Sequence, residues 1–325
     1  MRTRIIGTGA YSPERVLTNA DFERMVETTD EWIRTRTGIR ERHMLAPGED
    51  TSDMAAEAAK RALDAAGIEP GEIDLVVCGT ITPDTILPST ACWLQKKIGV
   101  REIPCFDVSA ACSGFIYGLA VADGLLARGR YRTALVIGCD ALTRFTDYED
   151  RSTCVLFGDG AGAAVLRTEE GERGILYTHL GADGWRAHLL EIPAGGARRP
   201  ASVETIAARE HYIRMNGREI FKFAVQKATE LVRDAAEHVG CRIDEISEII
   251  PHQVNTRILK AAAERLNVPI ERFYSHIEQY GNTSAASVPV ALDEAVRTGR
   301  VAENDLVCLI AFGAGLTWAS ALVRW

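Results

Sequence analysis

The chain has 325 residues, is 46% hydrophobic, and carries 37 Lys+Arg against 45 Asp+Glu for a formal net charge of -8. That balance excludes a disordered or collagen-like chain and argues against nucleic acid as the main partner. No stretch approaches the roughly 18 consecutive apolar residues of a membrane span. Met1-Arg2-Thr3-Arg4 runs straight into Ile5-Ile6-Gly7 without an apolar leader. A cytoplasmic protein with neither signal peptide nor membrane partner is therefore expected.

In chain order, Ile5-Ile6 reads as a strand, and Gly7-Thr8-Gly9 after it as a turn. The G-x-G hints at a dinucleotide fold, but no third glycine sits at the required spacing and no helix opens directly. A helix is expected over Asp53–Ala66, capped by Ser52 and stopped at Gly67 by a left-handed residue, with Pro70 just beyond. The apolar run Leu75–Cys78 reads as a buried strand, as does Pro104–Val108, which leads into a helix over Ser113–Arg128. Ala134–Gly138 reads as a strand and Gly158–Leu166 as a glycine-rich hairpin. The stretch 168–220, rich in Gly, Ala and Arg, reads as an insertion carrying binding contacts. A helix over Val225–Val239 ends at Gly240, and a strand ends at Pro251, with His252 opening the next helix. Tyr280-Gly281-Asn282-Thr283-Ser284 is a loop before an alanine-rich helix, and Leu306–Phe312 leads through Gly313-Ala314-Gly315 to Ala321-Leu322-Val323.

These elements repeat. Gly67 matches Gly240 at an offset of 173, Phe106 matches Phe273 at 167, and Arg130 matches Arg300 at 170. Matches in one order at nearly one offset mark a duplicated domain, and two copies are too few for a solenoid. Helical patterns alternating with short β-branched runs make each half α/β, with buried sheets. The expected division is 1–170 and 171–325, with a site at the junction.

The eight cysteines are Cys78, Cys92, Cys105, Cys112, Cys139, Cys154, Cys241 and Cys308. None pair as C-x-x-C, so no zinc site is expected, and the plainest reading is of reduced thiols filling a core. Cys112 differs in its setting, Ser109-Ala110-Ala111-Cys112-Ser113-Gly114-Phe115, at a strand-to-helix joint. Small residues there permit a tight turn, and a helix N-terminus lowers a thiol pKa toward the reactive thiolate. The alternative is an inert small residue in that turn. His252, in Pro251-His252-Gln253-Val254-Asn255, stands at the end of a core strand, where ligands bind in open α/β sheets, although a lone histidine is usually structural. Cys112, His252 and Asn282 at three strand-to-helix joints point to nucleophilic acyl chemistry.

The segments Ala111–Phe115, Pro251–Asn255, Tyr280–Ser284 and Phe312–Trp318, with Thr29–Ile33 and Arg36–Ile39, resemble the signatures of β-ketoacyl-acyl carrier protein synthase III. The resemblance runs from about residue 4 to 325 and implies a duplicated thiolase-like fold, layered α-β-α-β-α. It implies that Cys112 attacks an acyl-CoA primer and that malonyl-acyl carrier protein then loses CO₂ and condenses with the acyl group. His252 and Asn282 would donate hydrogen bonds to the enolate, and the backbone N–H groups of Cys112 and Gly315 would form an oxyanion hole. Trp32, Arg36, Arg151, Asn216, Phe221 and Asn255 match CoA-binding positions. Lys222, Arg257 and Arg265 match the patch that receives acyl carrier protein. Leu142 and Phe157 match the acyl pocket, and Leu87 matches the residue that closes it from across a homodimer interface. No cofactor and no metal are implied, acyl-CoA being a substrate.

Other readings stand beside this one. A quinolone or polyketide starter synthase would share the motifs. A 3-hydroxy-3-methylglutaryl-CoA synthase would want an acidic base near Cys112, and the sequence offers no clear one. A Cys-His acyl hydrolase would leave a CoA tunnel unexplained, and a catalytically silent scaffold would leave the three polar residues unexplained.

Overall fold

The computed structural model describes residues 1–325 as two mixed sheets sandwiched among three layers of helices. The first sheet holds β1 (Arg2–Tyr11), β2 (Leu75–Gly79), β3 (Cys105–Val108), β4 (Thr133–Ala141) and β5 (Asp159–Glu169), in the order β1-β5-β4-β2-β3. The second holds β6 (Gly174–Ala182), β7 (Glu248–Pro251), β8 (Leu306–Gly313) and β9 (Thr317–Arg324), in the order β6-β9-β8-β7. The topologies superimpose in order and direction. β2 pairs in parallel with β4 and β7 with β8, while the remaining neighbours on that side run antiparallel. The second sheet lacks a full counterpart of β3, but a single parallel bridge, Ile249 to Phe273, marks where it would lie.

Strand side chains alternate between faces, and this builds the layers. Leu75 and Val77 point inward, with Val307, Leu309, Ala319 and Ala321 of the second sheet facing them across the central layer. Between the sheets lie α3 (Gly114–Leu126) and α6 (Ser287–Arg297). A helix between two sheets must be apolar nearly all round, and Phe115, Ile116, Leu119, Val288, Ala291 and Leu292 meet that demand. Val76 and Cys78 point outward against α1 (Thr51–Ala66) and α2 (Thr90–Ile98). Ile249, Cys308 and Ile310 do the same against α4 (Gly217–Val239) and α5 (Thr256–Leu266).

Several local expectations change. Gly7-Thr8-Gly9 is not a turn, since β1 runs through it to Tyr11. Its glycines serve close packing, because a Cβ on Gly7 would lie 2.5 Å from the Ala62 carbonyl and one on Gly9 2.4 Å from that of Ala58. Ser52 does not cap α1. Asp50 does, in a capping box with Asp53, while Ser52 donates to Asp84 at 2.6 Å. Gly158–Leu166 is no hairpin; it enters one strand, β5, paired on both sides. The helix opening after Cys112 is shorter, a 3-10 turn at Ala111–Ser113 followed by α3. His252 does not open a helix, since α5 starts only at Thr256. The supposed insertion 168–220 contains β6, the second half's counterpart of β1. Cys92 is exposed, and Cys105 and Cys241 are half-buried, so not all eight thiols fill the core.

Close backbone contact between layers gives a testable consequence. A Cβ on Gly138 would lie 2.1 Å from the Ala285 carbonyl, whereas one on Gly124, within α3, meets nothing within 4 Å. Gly138→Ala should destabilise the protein by about 2 kcal/mol or more through overpacking. Gly124→Ala should stabilise it by roughly 1 kcal/mol through helix propensity. Apparent melting temperatures at one scan rate check the opposite signs.

Candidate active site

Cys112 sits on an elbow. β3 ends at Val108, the chain turns through a 3-10 segment at Ala111–Ser113, and α3 follows. Ala111 adopts φ 48, a left-handed conformation that costs a non-glycine residue about 1 kcal/mol. Thr317 holds the turn by donating its hydroxyl to the Ala110 carbonyl at 2.9 Å. Gly313 lets the second half approach, as a Cβ there would lie 2.7 Å from the Cys112 nitrogen. The second half has its own elbow, Ser284–Ala286, leading into α6, and Ser284 has φ 50. Ser284 lies 173 residues after Ala111, the repeat offset, so Ala285 stands where the first half carries Cys112. Duplication produced two elbows, and one of them bears a thiol.

The backbone of Ser284 organises the polar groups. Its N–H donates to Asn282 Oδ1 at 2.9 Å, and its carbonyl accepts from Ser287 Oγ at 2.9 Å. Ser287 Oγ in turn lies 2.6 Å from His252 Nδ1. Ser284 also lines a cavity of about 70 Å³ together with Cys112. Cys112, His252 and Asn282 are thus gathered around one turn. With its Oδ1 occupied, Asn282 has its Nδ2 hydrogens left to donate. His252 continues the β7 ladder through an N–H bond to Ile310 at 2.8 Å, and its ring meets Phe312 edge-on at 5.8 Å.

Burial sets the charge states. It pulls the His252 imidazole down to about 3, so the ring is neutral. It pushes the Cys112 thiol up to about 12. The expectation of a lowered thiol pKa is therefore corrected: desolvation of the thiolate is the largest cause of the shift, and it raises the pKa.

The sequence reading missed Asp140. This fully buried carboxylate accepts from Ile81 N at 2.8 Å, Thr82 Oγ1 at 2.9 Å and Thr80 Oγ1 at 3.0 Å in the first half. Its other oxygen accepts from Ala285 N at 3.1 Å, clamping the second elbow to the first half. It also missed Ile81, Leu190, Ile192 and Ile213, which line the cavity beside Leu142 and Phe157. These residues are remote from the motifs and carried no chemical signal. Leu87 is 85% exposed and lies away from the cavity of its own chain.

A groove of about 550 Å³ is lined by Trp32, Arg36, Phe221, Lys222, Asn255 and Arg257, among others. The Arg151 guanidinium lies 5.0 Å from the Trp32 ring centre and that of Arg36 6.0 Å. Asn255 caps α5 and donates to the Arg36 carbonyl at 2.7 Å, tying two sides of the groove together. Asn216 caps α4 between the lining residues Met215 and Gly217. Arg265 stands apart, at the far end of α5, about 12 Å along the axis from Arg257. A cavity of about 780 Å³ between β1, α1 and α6 contains none of these groups.

No three His, Cys, Asp or Glu side chains converge as metal ligands, and no helix is long and apolar enough to cross a membrane. Two family models match: 3-oxoacyl-[acyl-carrier-protein] synthase III over residues 106–184, and its C-terminal part over 236–325. The chain is 50% identical over 321 residues to the β-ketoacyl-[acyl-carrier-protein] synthase III of Caldanaerobacter subterraneus subsp. tengcongensis, covering 99% of this chain and 97% of that one. It matches the crystal structure of 3-oxoacyl-[acyl-carrier-protein] synthase III from Aquifex aeolicus with a TM-score of 0.92 and 47% identity, over 99% and 100% of the two chains. It also matches the priming β-ketosynthase of the R1128 polyketide pathway, with a TM-score of 0.92 and 36% identity over 99% and 96%. The chain belongs to the β-ketoacyl-acyl carrier protein synthase III family of thiolase-like, acyl-transferring condensing enzymes.

Proposed function

We propose that this enzyme condenses an acyl-CoA primer with malonyl-acyl carrier protein to give a 3-oxoacyl-acyl carrier protein, the initiating step of type II fatty acid synthesis. The observation that carries the residue roles is the convergence of Asn282, Ser287, His252 and the Cys112 cavity on Ser284. The half spanning 1–170 supplies the nucleophile, and the half spanning 171–325 supplies the imidazole and carboxamide.

In the first step the Cys112 sulfur bonds to the acyl carbon, the C–S bond to CoA breaks, and the thiol proton ends on the CoA sulfur. With the thiol near 12 and the imidazole near 3, the resting pair is neutral, so the proton leaves as the new bond forms. The N–H groups of Cys112 and Gly315 hold the tetrahedral oxyanion; Gly313, two residues before Gly315, packs on the Cys112 backbone. In the second step the malonyl C–C bond breaks, CO₂ departs, and the electron pair moves into an enolate. Nε2–H of His252 and the Nδ2 end of Asn282 donate to its oxygen. Each such donor typically contributes about 3 kcal/mol. The enolate carbon attacks the acyl group, and the expelled Cys112 thiolate regains a proton from solvent. No cofactor takes part.

The groove between Trp32, Arg36, Arg151, Phe221 and Asn255, with Asn216 beside it, suits CoA, because guanidinium forks match phosphate and an indole face stacks on a purine. Lys222 and Arg257 at that groove suit an acidic carrier protein; Arg265 would take part only in a wider footprint. A homodimer would cover the β3 edge and the exposed Ile86 and Leu87, which are 90% and 85% accessible. The working compartment is the cytoplasm. The R1128 similarity leaves a polyketide-starter role as the second reading, separated by the primer used.

Cys112→Ser should abolish transfer of radiolabel from acetyl-CoA to protein. His252→Ala and Asn282→Ala should keep labelling but release CO₂ from malonyl-acyl carrier protein about 10²–10³-fold more slowly. Iodoacetamide alkylation of Cys112, followed on its own peptide, should rise about tenfold per pH unit from pH 7 to 10, since thiolate is the reactive form and stays scarce below about 12. A plateau with a midpoint below pH 8 would contradict this. A cavity of about 70 Å³, some two liquid-water volumes, favours short primers. Condensation should fall from acetyl- through butyryl- to longer acyl-CoA, and Phe157→Ala should flatten that decline.

A further inference from the structure

We propose that Arg42 is a positioning residue that sets the spacing of the Trp32 and Arg151 side chains and so shapes the groove for the nucleotide end of CoA. The inference rests on the reading of that groove as the CoA site and concerns how the protein builds it. Arg42 lies on the short strand Glu41–Met44 and is fully buried. A guanidinium is rarely buried unless a carboxylate pairs with it. Every hydrogen bond of Arg42 goes to a neutral acceptor instead. What those bonds join are two segments that line the groove.

On one side, Nε and Nη2 both donate to the Val155 carbonyl, Nε at 2.9 Å. Val155 lines the groove with Ser152 and Leu156, in the segment that begins at Arg151. On the other side, Nη1 donates to Asn19 Oδ1 at 2.5 Å. Asn19 passes the link on, its Nδ2 donating to Asp30 Oδ1 at 2.8 Å and to the Ile39 carbonyl at 3.0 Å. Asp30 opens the helix Asp30–Thr37, and Ile39 follows its Gly38 cap. The link therefore holds both ends of the helix that carries Trp32 and Arg36. The Phe22 ring centre lies 4.6 Å from the guanidinium carbon. The stem runs beneath Gly158 and Gly281, where an added Cβ would lie 3.3 Å and 3.1 Å from carbons of the Arg42 side chain. The fork is thus fixed in place while its arms reach two walls of the groove, the walls that bring the Arg151 guanidinium 5.0 Å from the Trp32 ring centre. A lysine has one ammonium and no planar fork, so it would hold Val155 or Asn19 but not both in this geometry.

The test uses the full-length enzyme and two labelling donors, acetyl-CoA and acetyl-pantetheine, which presents the same thioester without the nucleotide. Arg42→Lys should raise the half-saturating concentration of acetyl-CoA about tenfold, with the maximal labelling rate near wild type. Labelling by acetyl-pantetheine should stay near wild type, because that donor has no nucleotide to place between Trp32 and Arg151. A general loss of folded structure would instead depress both donors alike. Asp30→Ala, at the half-exposed end of the link, should raise the half-saturating concentration of acetyl-CoA about threefold with the same selectivity. It carries the test if Arg42→Lys fails to fold. An unmoved half-saturating concentration of acetyl-CoA in either folded variant, or equal losses with both donors, overturns the proposal. An unmoved value in Trp32→Ala would instead remove the underlying reading of the groove as the CoA site.

Discussion

Two backbone elbows meet at the centre of this molecule, and the rest of the structure depends on how closely they approach. Each places a residue in the left-handed region, Ala111 in one half and Ser284 in the other. The approach is possible because side chains are missing where backbone meets backbone. A Cβ on Gly79 would lie 2.4 Å from the carbonyl carbon of Gly114, and one on Gly138 2.1 Å from the carbonyl oxygen of Ala285. Strain of this kind persists only when its surroundings over-determine it. Here the surroundings are the five layers, with α3 and α6 held between two sheets. The fold is in that sense a clamp on two turns. Asp140 adds a polar clamp, gathering donors from the first half on one oxygen and the Ala285 N–H on the other.

The same closeness governs the electrostatics. Ile81, Leu142, Phe157, Leu190 and Ile213 line the cavity beside the buried Cys112, and His252 is buried as well. Burial therefore raises the Cys112 thiol and lowers the His252 ring, and the resting site is uncharged at its reacting groups. In the proposed reaction, charge would develop only as substrate bonds change, and oriented N–H donors would meet it without reorganising. The cationic side chains Arg36, Lys222 and Arg257 lie outside, around the groove with Trp32, where phosphate and an acidic partner would arrive in the proposed reaction.

Duplication explains the division of labour. Both halves inherit the same strand order and the same elbow, yet Ala285 occupies the position that Cys112 takes in the first half. The first elbow carries the thiol. The second kept its geometry and became a hub, its backbone positioning Asn282 and its carbonyl engaging Ser287. A turn without a thiol thus serves as the scaffold around which the polar groups are gathered.

Much of this could be read along the chain. Gly67 and Gly240 stop their helices in the left-handed conformation, as their spacing predicts, because a helix C-cap is a local backbone requirement. The repeat, the buried strands and the four motifs are likewise local patterns, and they suffice for the fold class and for singling out Cys112, His252 and Asn282 as candidates. What failed depended on partners distant in sequence. Gly7 and Gly9 look like a turn until α1 packs on them, Ser52 looks like a cap until Asp84 claims its hydroxyl, and β6 looks like an insertion until β9 pairs with it. The thiol's protonation was misjudged for the same reason, since a helix terminus is visible in sequence while the desolvation opposing it comes from residues gathered out of both halves. The amino-acid order determined which candidate groups are present and which elements carry them. Their burial and their hydrogen-bond partners were decided by tertiary structure, because solvent exclusion and hydrogen-bond pairing belong to the packed assembly and to no single segment of it.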